Sequence, residues 1–145
     1  MRYLMILLCI LLGSCAGTPA NIKAIENFEL QRYLGQWYEI ARLDHSFERG
    51  LSHVSANYTI NNDGSVTVTN RGFKTDKNQW DEVQGRALIV EDPTVGHLKV
   101  SFFGPFFGSY VIFELDQLHY QYAFVTSYNK EFYGFWRADP PSMKP

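Results

Sequence analysis

Three consecutive residues, Asp44, His45 and Ser46, carry the side-chain types of a hydrolytic triad: an acid, a base and a nucleophile. Catalysis needs these groups to hydrogen-bond in a line, and three neighbours at one strand end cannot do so. Histidines are also candidate metal ligands, but none has a carboxylate or thiol partner at metal-binding spacing: His45, His53, His97 and His119. The sequence therefore predicts no enzyme, no metal or haem site and no cofactor.

Cys15 is the residue best placed for a covalent modification. Met1 and Arg2 form a short positive start, and the apolar run that follows ends at Leu12, which is too short for a permanent membrane span. The stretch "LGSCA", ending at Ala16, resembles the bacterial lipobox, in which the cysteine is acylated and becomes the first residue. We therefore expect a signal peptide over 1–14 and a lipidated Cys15; the alternative is an ordinary signal peptide that is cut near Gly17 and removes Cys15.

The resemblance to a lipobox also implies a location. Ala16 stands where an aspartate would retain a lipoprotein elsewhere, so the pattern implies a lipid anchor on the periplasmic face of the outer membrane. Cys9 would leave with the signal peptide, and the mature chain could then form no internal disulfide. Residues 15–27, which are polar and contain Pro19, are expected to tether the folded part to the lipid.

The remaining residues, 28–145, have the composition of one globular domain. The chain has 145 residues, of which 46% are hydrophobic and 16% aromatic, and a formal net charge of -2. Basic and acidic residues are mixed along it, so no basic stripe suits nucleic acid. The high aromatic content favours strands over helices.

Turn residues divide this domain into eight short β-prone runs. The tip Asp63-Gly64 suits a tight hairpin, and Val66 and Val68 alternate with threonines as in a sheet with one wet face. An eight-stranded antiparallel up-and-down barrel would pair the first strand with the last and leave no free edge, whereas a flat sandwich is the alternative. The runs are 36–44, 52–61, 65–73, 80–90, 97–103, 108–115, 120–127 and 132–138.

Several motifs in this region resemble the bacterial lipocalins. Gly35 and Trp37 form a Gly-x-Trp signature, and the stretches "RYLGQWYEIARLDHSFERGL", "NDGSVTVTNRGF", "LKVSFFGPFFGSYVI" and "FWRADPP" occur in the family's order. The resemblance implies a lipocalin (calycin) barrel in which Trp37 lies across the closed end and Arg137 packs over its ring. It also implies that the loop 44–50 is a lid at the open mouth.

The C-terminus departs from the family pattern. Family members continue past the arginine into a helix that packs on the barrel, whereas this chain ends eight residues after Arg137 and contains Pro140, Pro141 and Pro145 there. Prolines oppose a helix, so we expect the C-terminal helix to be missing and the wall that it would cover to be exposed. Family members can pair into dimers, so the resemblance also makes a homodimer possible.

An aromatic-lined barrel suits an acyl chain, because burying one removes apolar surface from water. We expect a binder or carrier of long-chain fatty acids or lysophospholipids for membrane maintenance, without catalysis; the alternative is a self-filled structural or interaction barrel. The hydroxyls of Tyr110 and Tyr133 could hold a head group, and Arg42 or Arg49 an anionic one, although a solvated surface position suits both arginines. The predicted ligand contacts are Phe47, Trp80, Phe106, Tyr110 and Tyr133 at the mouth and Leu43, Val54, Phe102 and Phe124 deeper in the barrel.

Overall fold

The computed structural model describes residues 21–42 and 49–127 in full and the backbone of residues 133–138. One short helix precedes eight strands. The elements are α1 (Leu30–Tyr33), β1 (Gly35–Arg42), β2 (Leu51–Ile60), β3 (Val66–Lys74), β4 (Gln79–Ile89), β5 (His97–Phe103), β6 (Phe106–Leu115), β7 (Tyr122–Ser127) and β8 (Tyr133–Ala138).

The strands form a closed antiparallel barrel. Each strand pairs with the next in sequence, and β1 pairs with β8, so the predicted eight-stranded up-and-down barrel is confirmed and the flat sandwich is wrong. The β2–β3 hairpin turns where it was predicted, because Gly64 adopts a positive φ of 81° and the Asp63 carboxylate accepts hydrogen bonds from the backbone and hydroxyl of Ser65. Short local connections of this kind set the up-and-down order.

The strand register defines which side chains face the interior. Trp37 lies opposite Ala56, which lies opposite Asn70, and Asn70 lies opposite Val83. Directly opposed residues point to the same side of a sheet. Trp37 and Ala56 belong to one buried cluster that also contains residues from the strands across the barrel. The row containing Trp37 is therefore interior, and the alternate row is exterior.

The N-terminal segment closes one end of the barrel. Phe28 and Tyr33 join the buried core from beneath the strands, and Gly35 begins β1 with a φ of 103°, which a residue with a side chain rarely adopts. Arg32 links α1 to the turn after β6: its guanidinium donates hydrogen bonds to the carbonyls of Gln117 and Leu118 and lies 4.2 Å from the ring centre of Tyr120. This end is called the closed end below, and the opposite end the mouth.

Candidate ligand-binding cavity

The closed end of the interior is filled by four aromatic rings. Tyr33 stacks on Trp37 with 4.5 Å between ring centres, and the indole Nε1 donates a hydrogen bond to the carbonyl of Tyr33. The hydroxyl of Tyr110 lies 2.9 Å from that of Tyr33 and 2.8 Å from that of Tyr58. We call Tyr33, Tyr58 and Tyr110 the tyrosine trio; with Trp37 it forms the floor of the barrel.

The tyrosine trio is held in its neutral form. Burial is the largest cause that raises the pKa of each phenol well above its usual value, and the neighbouring tyrosine hydroxyls reinforce the effect electrostatically. Neutral hydroxyls can donate and accept hydrogen bonds among themselves, and they satisfy their polar atoms inside an apolar core. The floor is therefore closed, uncharged and firmly held.

The interior near the mouth is open. Val83 faces inward and is 40% exposed, whereas Val66 and Leu98, on the same face near the closed end, are fully buried. Glycines occupy inward positions at this level: Gly72 lies opposite Asp81, and Gly108 lies opposite Val100. The Leu51 side chain fills the position beside Gly72, 3.1 Å from a Cβ placed there, whereas Gly108 has open space beside it, so the space above the floor reaches solvent near Gly108 and Val83.

Phe102 borders this space from β5. A Cβ atom placed on the inward-facing Gly85 would lie 2.6 Å from the ring of Phe102, so the ring lies directly over that glycine. A Cβ on Gly108 would instead have no neighbour nearer than 3.9 Å. The two glycines thus have different roles, since one accommodates a wall residue and the other borders empty space.

Two ion pairs contribute charge near the mouth. Glu39 pairs with Arg42, whose guanidinium also donates a hydrogen bond of 3.1 Å to the carbonyl of Leu51. Lys74 lies 2.6 Å from Asp81 on the inward face, and its hydrogen bond is the main cause that lowers the pKa of that carboxyl. The mouth therefore presents both signs of charge, and Arg42 is half-buried within the mouth instead of lying free on the surface.

Some of the ligand contacts predicted from sequence lie together in this space. Val54 is buried on the interior face of β2, Phe102 borders the cavity, and Tyr110 forms part of the floor, deeper than the mouth position expected for it. Phe106 shares the inward alternation of Gly108 and Tyr110 but is strongly exposed at the end of the β5–β6 hairpin, so it stands at the rim of the mouth and not within the buried interior.

Phe124 is a wrong prediction. It alternates with the buried Ala123 and Val125, so it faces outward, is exposed and packs against Phe113 and Tyr122. Both faces of β7 are apolar, and the larger side chains are the external ones.

Trp80 also lies outside the barrel. It stands opposite Phe73 on the exterior row, with the Arg71 guanidinium 4.2 Å from its ring centre. It borders an external groove of about 670 Å³, which is lined mainly by exterior-row residues of β1 to β4 but also by Glu39 and Val54 of the interior row. The other exterior-row residues of that groove are Gln36, Tyr38, His53, Ser55, Asn57, Thr69, Arg71 and Glu82.

Other predicted positions fall outside what the structure describes. Cys15, Leu43 and Phe47 lie outside the described residues, as does most of the predicted lid, and of Tyr133 and Arg137 only the backbone is described. The register sets Arg137 opposite Tyr38 and Tyr122, and Ala138 opposite Trp37. The packing of Arg137 on Trp37 stays a prediction; the described contact on the indole ring comes from Tyr33.

The floor residues Tyr33 and Tyr58 were missed from the sequence. Tyr58 lies on the same alternating row of β2 as Val54. The hairpin at Asp63-Gly64 sets the register of that row, so the sequence did contain a signal that Tyr58 faces inward. Tyr33 lies on the short helix outside the strands, and no local pattern marks it.

Within residues 21–42 and 49–127, no three histidine, cysteine or acidic side chains are grouped to hold a metal ion, and no helix has the length and apolarity of a membrane span.

A family model described as a lipocalin-like domain matches residues 28–144. The chain is 55% identical over 133 residues to Outer membrane lipoprotein Blc of Vibrio cholerae, covering 91% of this chain and 78% of that protein. It is 44% identical over 114 residues to the protein of the same name in Escherichia coli (strain K12), covering 79% of this chain and 64% of that protein. It is also 36% identical over 92 residues to Apolipoprotein D of Bos taurus, covering 63% of this chain and 46% of that protein.

Solved structures share the fold at lower identity. The cockroach allergen Per a 4 superposes with a TM-score of 0.66 at 18% identity, covering 87% of this chain and 77% of that one. Insecticyanin from the tobacco hornworm Manduca sexta gives a TM-score of 0.63 at 20% identity, covering 83% and 66%. At this identity the likeness concerns the barrel alone.

Proposed function

The chain belongs to the lipocalin family, and from that premise we propose that it binds lipids, taking the acyl chain of a fatty acid or lysophospholipid into the barrel. The chain acts as a container that stores or carries the lipid, and no bond is broken. The observation that carries this proposal is the change in burial along the interior face, from a filled floor to an inward-facing Val83 that is 40% exposed.

The chemistry of the space above the floor fits an acyl chain. Its described walls include Val54, Val83, Val100 and Phe102, and the inward Gly108 leaves room beside them. Burying about twelve methylenes there would contribute on the order of 10 kcal/mol before the entropy cost of ordering the ligand. That gain is large enough to retain a lipid without any covalent bond.

The mouth is suited to a polar head group. The pairs Glu39–Arg42 and Lys74–Asp81 provide donors and acceptors of both signs at the level where a head group would lie once the tail has reached the floor. Tyr110 is committed to the floor by two hydrogen bonds, so we assign head-group contacts to these ion pairs in preference to the Tyr110 hydroxyl. Leu43 and Phe47 remain proposed contacts of the lipid, whereas Tyr133 pairs with Thr126 on the row of Phe124 and is not among them.

The location is proposed from the relatives and the N-terminal sequence together. Proteins named Outer membrane lipoprotein are 55% and 44% identical to this chain, and the stretch ending at Cys15 and Ala16 has the lipobox pattern. We propose that acylation of Cys15 anchors the chain to the periplasmic face of the outer membrane, where its ligands arise. More than one acyl chain gives stable anchoring, whereas one gives only marginal binding.

The test is native mass spectrometry of residues 16–145 with fatty acids and lysophospholipids, followed by a fluorescence titration. Truncation before residue 16 leaves every described contact in place, because the described fold begins at residue 21. Gly108→Leu adds a side chain into the empty space at a position whose φ lies outside the left-handed region. We expect saturable binding of one lipid per barrel or per dimer, weakened at least tenfold by Gly108→Leu.

The matched control is Gln84→Leu, which adds the same side chain to an exposed exterior position of β4. It should bind lipid as the unsubstituted chain does. A folded chain that binds no lipid would favour the self-filled structural barrel. Lipid binding that is unchanged in Gly108→Leu would place the site outside the barrel, for example in the external groove beside Trp80.

A further inference from the structure

The β5–β6 hairpin exposes three phenylalanines within five residues. Phe103 is 61% exposed, Phe106 79% and Phe107 41%, on either side of the two-residue tip Gly104-Pro105. Phenylalanine is among the residues most often buried in proteins, and a group of exposed ones marks a surface that meets an apolar partner. The barrel does not bury these side chains: Phe103 and Phe106 are directly opposed at the end of the hairpin, and all three rings reach solvent there.

The hairpin lies at the mouth. It joins the end of β5 to the start of β6, at the same end of the barrel as the start of β4 and the Lys74–Asp81 pair. The opposite end is closed by α1 and the floor. The exposed phenylalanines therefore stand at the rim of the entrance that a lipid would use.

We propose that this hairpin inserts Phe103, Phe106 and Phe107 into the surface of a lipid bilayer and sets the mouth of the barrel against the membrane. The exposed rings are grouped on one hairpin with a two-residue tip, and the soft interface of a bilayer can accept such a small apolar group. Phenylalanines next to a basic residue are typical of segments that lie at the membrane interface. Lys99 supplies that residue, with its amine 5.3 Å from the ring centre of Phe107.

The proposal explains how a water-insoluble ligand could reach the cavity, and in that respect it rests on the proposed function. A lipid leaving a bilayer beneath the mouth would not have to cross water. A lipid anchor at Cys15 and the hairpin would provide two separate membrane contacts, which together bind far more firmly than either does alone. The membrane contact itself is a property of the hairpin and can be measured without any ligand.

The first experiment measures co-sedimentation of residues 16–145, without the N-terminal lipid, with vesicles of phosphatidylethanolamine and phosphatidylglycerol. From the apolar area of one phenylalanine, we expect Phe106→Ser to lower the partition coefficient about tenfold and Phe103→Ser Phe106→Ser to lower it about a hundredfold. Leu118→Ser is the matched control, because Leu118 is 75% exposed at the closed end. It should change partitioning by less than about twofold, since no apolar contact with the bilayer is lost.

The second experiment compares two routes of lipid uptake. Transfer of palmitoyl-lysophosphatidylethanolamine from vesicles should slow in Phe107→Ser, because Phe107 lies beside Lys99 on the exterior row, while the Kd for the same lipid added from aqueous solution stays unchanged. Partitioning that is equal in all variants, or reduced as much by Leu118→Ser, would overturn the proposal. A chain that partitions through the hairpin but takes up no lipid would instead refute the proposed function and leave the membrane contact in place.

Discussion

Replacing Tyr110 with phenylalanine tests whether the floor depends on the central hydroxyl of the tyrosine trio. The substitution keeps the ring but removes the oxygen that lies 2.9 Å from the hydroxyl of Tyr33 and 2.8 Å from that of Tyr58. Both remaining hydroxyls are buried and would lose their described side-chain partner. Leaving a buried polar group without a partner costs about 1–3 kcal/mol, so we expect Tyr110→Phe to lower the free energy of unfolding by about 2–4 kcal/mol.

The end members of the trio provide the comparison. Tyr33→Phe or Tyr58→Phe removes one hydrogen bond and leaves the other pair intact, so each should cost only about 1 kcal/mol. Tyr120→Phe provides a separate reference, because its hydroxyl accepts one hydrogen bond of 3.0 Å from the backbone amide of Glu29. The assay is urea unfolding followed by circular dichroism at neutral pH. If Tyr110→Phe costs no more than Tyr33→Phe, the central hydroxyl does not hold the floor and the reasoning is refuted.

Three further predictions concern pH, packing and the closed end. Burial raises the pKa of each phenol of the tyrosine trio. The free energy of unfolding should therefore be highest below the unfolded pKa of about 10 and fall as pH rises beyond it. Tyrosinate absorbance from the trio in the folded protein near that pH would contradict this. Gly85→Ala sets a methyl group 2.6 Å from the Phe102 ring and should lower the free energy of unfolding in urea by about 1–3 kcal/mol. Gly108→Ala has open space beside it and should be nearly neutral. Equal urea midpoints for the two variants would count against this packing. Arg32→Ala removes two hydrogen bonds to backbone carbonyls and the contact with the Tyr120 ring. Thermal unfolding should show that the free energy of unfolding falls by about 1–3 kcal/mol. If Arg32→Lys has the stability of the unsubstituted chain, charge alone matters and the forked guanidinium does not.

The predicted strands agree with the structure because their signals are local. Alternation in β3 and the Asp63-Gly64 tip depend only on neighbouring residues, and the predicted runs differ from the observed strands by a few residues at their ends. Eight such runs with short connections also predict closure, since an open meander would leave two free edges. The Gly35–Trp37 signature likewise identified where the closed end begins, and the positive φ of Gly35 is consistent with its glycine.

The errors occurred where alternation alone could not distinguish inside from outside. In β7 the row of Tyr122 and Phe124 is as apolar as the row of Ala123 and Val125, so size suggested the wrong row. In β4, Trp80 looked like a cavity residue, but its register with Phe73 sets it outside, and the charged Asp81 faces inward with Lys74. A bulge between Ser52 and Ser55 further shifts the register of β2, and one inserted residue changes which face each side chain occupies.

Sequence alone thus determined the barrel, its order of strands and the family, because these depend on local periodicity and on motifs of adjacent residues. Tertiary structure decided which apolar row is interior, where the cavity ends and what the mouth exposes. The tyrosine trio shows the reason: Tyr33 and Tyr110 lie 77 residues apart along the chain, and only closure of the sheet brings their hydroxyls into contact. The exposed phenylalanines of the β5–β6 hairpin follow the same rule, since their exposure depends on where every other element packs.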